Sequence, residues 1–432
     1  MKRTLALMLP AVALTLPGLY VRLAHVHLIA PQMALTAGAA ILGASFLLLW
    51  ACDAAQADMS QSLALALVAL IAVLPEYAVD MYFTWQAGQH PEANYAHYAV
   101  ANMTGANRLL IGVGWSVIVA LYWLKLKKPV ILERERRLEL LFLAAATVYA
   151  FVIPIKGSLA WYDGVVFLSI YAGYIAVAGR RPTGECECEG PAALIVSLNT
   201  LPRRLATYGL FAFAGAVILA NAGAFCEGLI GTGRAFHINE FLLVQWLAPI
   251  ASEAPEFIVA IGFTLRGQAG MALGSLLSAK LNQWTLLVGM IPGVYAVSHG
   301  SLNHAIPMSS LQMHEVLLTA AQSLLGVVLI MTLRLSVWHA VLLFTLFIGQ
   351  FLAPEILAMF PQALHQGLTG DRVHQVFSLL YVASSLSVLA DSPSRLHSLW
   401  KGAWKPEEGD PPGPPLPTPD CAHCPKRLRL FG

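Results

Sequence analysis

Two proline–glutamate pairs stand inside apolar runs: Pro75-Glu76 in "IAVLPEYAVD" (71–80) and Pro255-Glu256 in "IASEAPEFIVA" (250–260). A charged group at bilayer depth costs at least about 2.5 kcal/mol, so an ionisable residue there is a candidate for function. Proline has no N–H to bond the carbonyl four residues earlier. Pro75 therefore frees the Ile71 carbonyl and Pro255 the Ala251 carbonyl, and the kinks are expected to disturb the next carbonyls, of Ala72 and Ser252. Each pair predicts a helix break that exposes backbone oxygen beside a carboxylate. Two such breaks facing one another would form an oxygen-rich, doubly negative cavity suited to a hard divalent cation such as Ca²⁺. Asp80 follows Glu76 by four residues and Glu253 precedes Glu256 by three, spacings that put each pair on one helix face.

The elements that must position these groups are membrane spans. Of 432 residues, 57% are hydrophobic and 12% charged, against about 25% charged in an average soluble protein. The charges cluster between apolar stretches near the ~20 residues needed to cross a bilayer. Twelve spans are predicted, at 4–24, 33–53, 61–87, 95–124, 137–154, 160–178, 206–229, 238–266, 268–297, 313–332, 336–358 and 372–390. The fold class is an all-α polytopic membrane protein, and no strand is required. Of the Lys and Arg residues, 20 fall on one side of this arrangement and 4 on the other (Arg22, Lys156, Arg234, Arg372), with Arg108 and Lys280 inside spans. The richer side is read as cytoplasmic, with both termini inside a plasma (inner) membrane protein. The opening segment has no small-x-small cleavage site and is read as an uncleaved span or signal anchor. No basic-aromatic interleaving suggests a nucleic-acid partner; the expected partners are the lipid bilayer and inorganic cations. The oligomeric state is not legible.

The spans form an internal repeat. "LPEYAVDMYFTWQAG" is followed by a span carrying "VANMTGANRLLIGVGW", and "APEFIVAIGFTLRGQAG" by "LGSLLSAKLNQWTLLVGM". Spans 33–53, 137–154 and 160–178 correspond to 206–229, 313–332 and 336–358. Five spans per unit is an odd number, so the second unit enters the membrane in opposite orientation, an architecture recurrent in secondary transporters. The expected organisation is an N-terminal helix (1–32), a first repeat (33–178, with its motif region about 70–115), a cytoplasmic loop (179–205), a second repeat (206–358, motif region about 250–290), an extra C-terminal span (359–392) and a Pro-rich disordered tail (393–432). Cys186 and Cys188 in the loop, with Cys421, His423 and Cys424 in the tail, are enough soft ligands for a cytoplasmic zinc or similar metal. The alternative is a set of reduced thiols on flexible chain.

At these residues the sequence resembles the sodium/calcium exchanger (cation/Ca²⁺ antiporter) superfamily, whose two repeats typically read "GTSxPE" and "GNxxGSN". Here they read "IAVLPE" with "ANMTGAN", and "ASEAPE" with "GSLLSAK". The resemblance implies a ten-helix core, alternating access and cation ligation by Glu76 and Glu256. By position it adds the carbonyls of Ala72 and Ser252, and Asn102 and Asn107. Asp80 and Glu253 join this set from their spacing, and Ser275 stands where the second repeat would have its first asparagine. Val73 and Glu253 replace the motif serines. Lys280 replaces the last asparagine, and its ammonium could stand in for a monovalent cation, with Glu253 or Asp80 as counter-charge; otherwise it snorkels or faces a vestibule. Arg108 raises the same question in its own span. Extra carboxylates beside a lysine also suit proton coupling.

The function expected is a secondary antiporter moving Ca²⁺ or a related cation against Na⁺ or H⁺, with ions as cargo and no cofactor. A channel-like or sensory protein that kept the fold is the alternative. An intramembrane enzyme fits least, because no "HExxH" or serine nucleophile elbow is present.

Overall fold

The computed structural model describes residues 2–58, 73–180, 190–302, 304–358, 370–391 and, beyond these, 396, 399, 400, 402 and 403. Ala72, Cys186, Cys188, Cys421, His423 and Cys424 lie outside the described residues. The apolar runs are helices, which satisfy their own backbone groups in lipid. They are α1 (Lys2–Leu23), α2 (Ala30–Ala55), α3 (Leu74–Gln89), α4 (Tyr95–Leu126), α5 (Arg134–Lys156), α6 (Trp161–Ala178), a short α7 (Gly190–Val196), α8 (Thr200–Phe236), α9 (Glu240–Leu265), α10 (269–299), α11 (Ser310–Ile330), α12 (Val337–Ala358) and α13 (Gly370–Asp391). Among the described residues, nine helices are long and apolar enough to cross a membrane by length and composition.

Two expectations about connections change. The 179–205 segment holds the helix α7, and α8 begins at Thr200 rather than near 206. At 37 residues, α8 is about 55 Å long by the standard rise per residue. It overshoots a hydrocarbon core of about 30 Å, so its first turns carry polar sequence that reads as loop. There Arg203 makes paired bonds of 2.8 and 2.6 Å to Asp58, just beyond the end of α2, and Arg204 adds one of 3.3 Å. The Arg203 bond holds the Asp58 carboxyl below the usual carboxylate range.

Short strands are also present. β1 (Val130–Ile131) pairs antiparallel with β4 (Arg334–Leu335), and β2 (Ser158–Leu159) with β3 (Ile306–Pro307). Each ladder joins the connection after the third helix of one five-helix unit to the connection after the fourth helix of the other. That reciprocal exchange is the pattern two units of opposite orientation produce. The first helices of the units, α2 and α8, pack along each other, and the motif helices α3 and α9 meet in the interior.

Among the described residues three π turns interrupt the helices: Leu110–Trp115 in α4, Leu243–Leu247 in α9 and Gln283–Leu287 in α10. The first and third start at corresponding positions, three residues after Asn107 and Lys280. Such wide turns are often found at functional sites. Close to the first, Gly105 lets α4 approach α9: a Cβ there would sit 1.8 Å from the Gln245 carbonyl oxygen.

The Pro-Glu helices differ from one another. Pro75 stands at the start of α3, after Val73 in a non-helical conformation. Pro255 lies inside α9, whose α-helical part runs unbroken over Ala248–Leu265. The expected second break is therefore absent. The irregularity in α9 falls instead in its π turn, two turns upstream, and the helix absorbs the missing N–H of Pro255 without ending.

Candidate cation site

The two motif helices, with α4 and α10, enclose a cavity of about 10 Å³, about the space of one water-sized sphere. Glu76 from α3 and Ser252, Glu253 and Glu256 from α9 line it, together with Gln283 at the π turn of α10. Val73, Pro75, Leu110 and Ala279 complete the wall. Three carboxyl groups from opposite repeats, 180 residues apart in the chain, thus face one small volume. Glu76 and Glu253 are 2% and 3% exposed, so no bulk water screens them.

Gln283 organises the acids. Its Nε2 donates to Glu253 Oε1 at 3.0 Å, and its side chain also bonds Glu76. Four oxygens around the cavity are buried with no hydrogen-bond partner among the described residues: Glu76 Oε1, Glu253 Oε2, Glu256 Oε2 and Gln283 Oε1. Buried polar atoms are rarely left unpaired. A cluster of unpaired oxygens with several negative charges matches what a divalent cation demands of its ligands. Ser252 turns its hydroxyl back to the Ala248 and Pro249 carbonyls, at 3.2 and 3.3 Å. Tyr77 reinforces the frame by donating to Asn282 Oδ1 at 2.7 Å, tying α3 to α10.

Asp80 lies one helical turn from Glu76 and is fully buried, but it does not line the cavity. Asn102 Nδ2 donates to Asp80 Oδ1 at 2.8 Å. Asp80 Oδ2 and Asn102 Oδ1 have no partner among the described residues. These two form an adjoining polar pair.

Three expected roles change in the structure. Asn107 Nδ2 donates to the Met103 carbonyl at 2.8 Å, and Asn107 Oδ1 accepts from Lys280 Nζ at 2.8 Å; its side chain is spent inside the protein. Ser275 is exposed, away from the cavity lining. Lys280 is fully buried, which excludes snorkelling. Its amino group bonds the Asn107 carbonyl (3.2 Å) and side chain and sits 4.5 Å over the Trp284 ring. It interacts electrostatically with Glu253 and Glu76, but among the described residues no carboxylate oxygen lies within 4.0 Å of it. Neither Glu253 nor Asp80 is a direct counter-charge. Arg108 faces away, into an ion pair with Glu315 of α11.

Gln283 was not in the expected set. It lies beyond the "GSLLSAK" stretch, and its equivalent in the first repeat is the apolar Leu110. The signal available was the polar pair Asn282-Gln283 inside an apolar run, which is expensive at membrane depth unless it is used.

The sequence matches the sodium/calcium exchanger protein family over residues 29–179 and 206–353. A solved structure described as the H⁺/Ca²⁺ exchanger CAX is 43% identical, with a TM-score of 0.86, covering 93% of this chain and 98% of its own. The sodium-calcium exchanger NCX_Mj is 18% identical over 79% of this chain and 97% of its own, with a TM-score of 0.48. No curated protein sequence matches the chain significantly. The family match spans both five-helix units and both motif helices. The chain therefore belongs to the sodium/calcium exchanger protein family and is an integral-membrane cation antiporter.

Proposed function

We propose that this antiporter moves Ca²⁺ against protons, with Glu76, Glu253 and Glu256 as the carboxylates that take the divalent cation. One observation carries the reading: acids from the two repeats converge on a single buried cavity with their outer oxygens unpaired. With no cation bound, these carboxylates repel one another in a water-poor site, so their charge is balanced either by a divalent ion or by protons. Two units of opposite orientation around one site can open it to one side at a time. Ser252 contributes through its backbone carbonyl, and Gln283 orients Glu76 and Glu253.

Protons rather than Na⁺ are favoured by the fate of Asn107. Its carbonyl and side-chain oxygens are both taken by Lys280, which removes two neutral oxygens from any Na⁺ site nearby. The 43% identity to an H⁺/Ca²⁺ exchanger points the same way. In this reading the ions are cargo, the chain carries out no covalent chemistry, and the side bearing 20 of the basic residues is cytoplasmic.

The test is uptake of radioactive Ca²⁺ into proteoliposomes under an imposed H⁺ gradient, an imposed Na⁺ gradient, or none. Uptake driven by the H⁺ gradient alone is expected. Equal uptake without any gradient would mean a channel, and uptake driven only by Na⁺ would refute the coupling.

A further inference from the structure

A second buried constellation lies directly behind Lys280. Arg108, 2% exposed, pairs with Glu315, also 2% exposed, and its Nε donates to the Thr104 carbonyl at 3.3 Å. The guanidinium stacks 5.1 Å from the Trp246 ring centre. His374 of α13 approaches the other Glu315 oxygen at 3.5 Å. The Arg108 carbonyl accepts from Gln322 Nε2 at 3.2 Å. Adjacent carbonyls, of Asn107 and Arg108, are thus both held by side chains from other helices, just before the π turn disturbs the regular ladder of α4. Lys280 takes one and Gln322 the other.

A buried ammonium near two carboxylates, Glu253 and Glu76, would ordinarily close onto one of them, because an unscreened ion pair is strongly attractive. Lys280 does not. It is held on the neutral oxygens of Asn107, and the strand of backbone that presents those oxygens is itself pinned by Arg108–Glu315 and by Gln322. We infer that Arg108, Glu315 and Gln322 are positioning residues that keep Asn107 in place as a leash on Lys280, so that its ammonium does not occupy the carboxylates meant for the cation. Released from the leash, Lys280 would pair with Glu253 or Glu76 and compete with Ca²⁺. The inference rests on the proposal that these carboxylates bind Ca²⁺.

The leash predicts a pattern that a merely structural role would not give. Gln322→Leu, and the double variant Arg108→Met with Glu315→Met, remove the pins without leaving an unpaired buried charge. Each should raise the KM for Ca²⁺ by about three- to tenfold, the effect of one or two hydrogen bonds, with the maximal rate little changed. In a Lys280→Gln background, which keeps a donor for Asn107 but has no charge, the same substitutions should leave KM unchanged. Monodispersity and melting temperature of each purified variant identify those that are folded. An equal rise in KM in both backgrounds, or no rise in either, would overturn the inference. A wild-type protein that takes up no Ca²⁺ would instead refute the cargo reading, and the leash with it.

Discussion

At the scale of single residues, the glutamates were legible because an acid in an apolar span has few reasons to be there. Glu76 and Glu256 announce themselves by following proline, and Glu253 by its spacing. The site's remaining members depend on which way each helix turns. Asn107 and Ser275 hold motif positions, yet one is spent on Lys280, which another helix brings to it, and the other is exposed. No residue type requires a π turn, so the turns that follow these positions left no mark in the sequence. Lys280 carries the sharpest consequence at this scale. Lys280→Asn removes its positive charge from near Glu253 and Glu76 and frees the oxygens of Asn107. The variant is expected to gain Na⁺-dependent Ca²⁺ uptake while H⁺-driven uptake remains measurable. Compared at matched expression, identical H⁺ and Na⁺ dependence in variant and wild type would mean that Lys280 does not influence the cavity.

At the scale of elements, hydrophobic length read most of the nine membrane-length helices among the described residues to within a few residues, because the bilayer itself sets that length. It misread the start of α8, where the helix leaves the membrane and its polar turns look like a loop. It also led to an expected break at Pro255, although a membrane helix can tolerate proline where neighbouring helices and local adjustments satisfy the freed groups. The close crossing of α4 and α9 is where the two repeats meet, and it depends on the missing side chain of Gly105. Gly105→Ala forces a methyl group against the Gln245 carbonyl. Overpacking of this kind costs about 1–3 kcal/mol. The expected result is a lowered melting temperature and a loss of transport greater than that of Gly209→Ala, where a Cβ meets open space. Equal behaviour of the two variants would show that the helices can separate at no cost to the site.

At the scale of the molecule, the charge asymmetry and the inverted repeat make a joint statement about sidedness. The connection at 190–200 should face the cytoplasm and the connection at 300–309 the outside. With the six native cysteines replaced, Ser197→Cys and Leu302→Cys, both at exposed positions, report on these two faces. An impermeant thiol reagent added to sealed cells should modify the second and spare the first; the reverse would invert the topology.

The proposed transport cycle requires the two repeats to share one cation. Equilibrium binding of radioactive Ca²⁺ to the purified protein, and to Glu76→Gln and Glu256→Gln, measures this without any assumption about coupling. A single saturable ion per chain is expected, lost in either variant while both remain folded and monodisperse, because each repeat supplies carboxylate ligands to the same site. Undiminished binding in either variant, or two ions of which each substitution removes one, would contradict it.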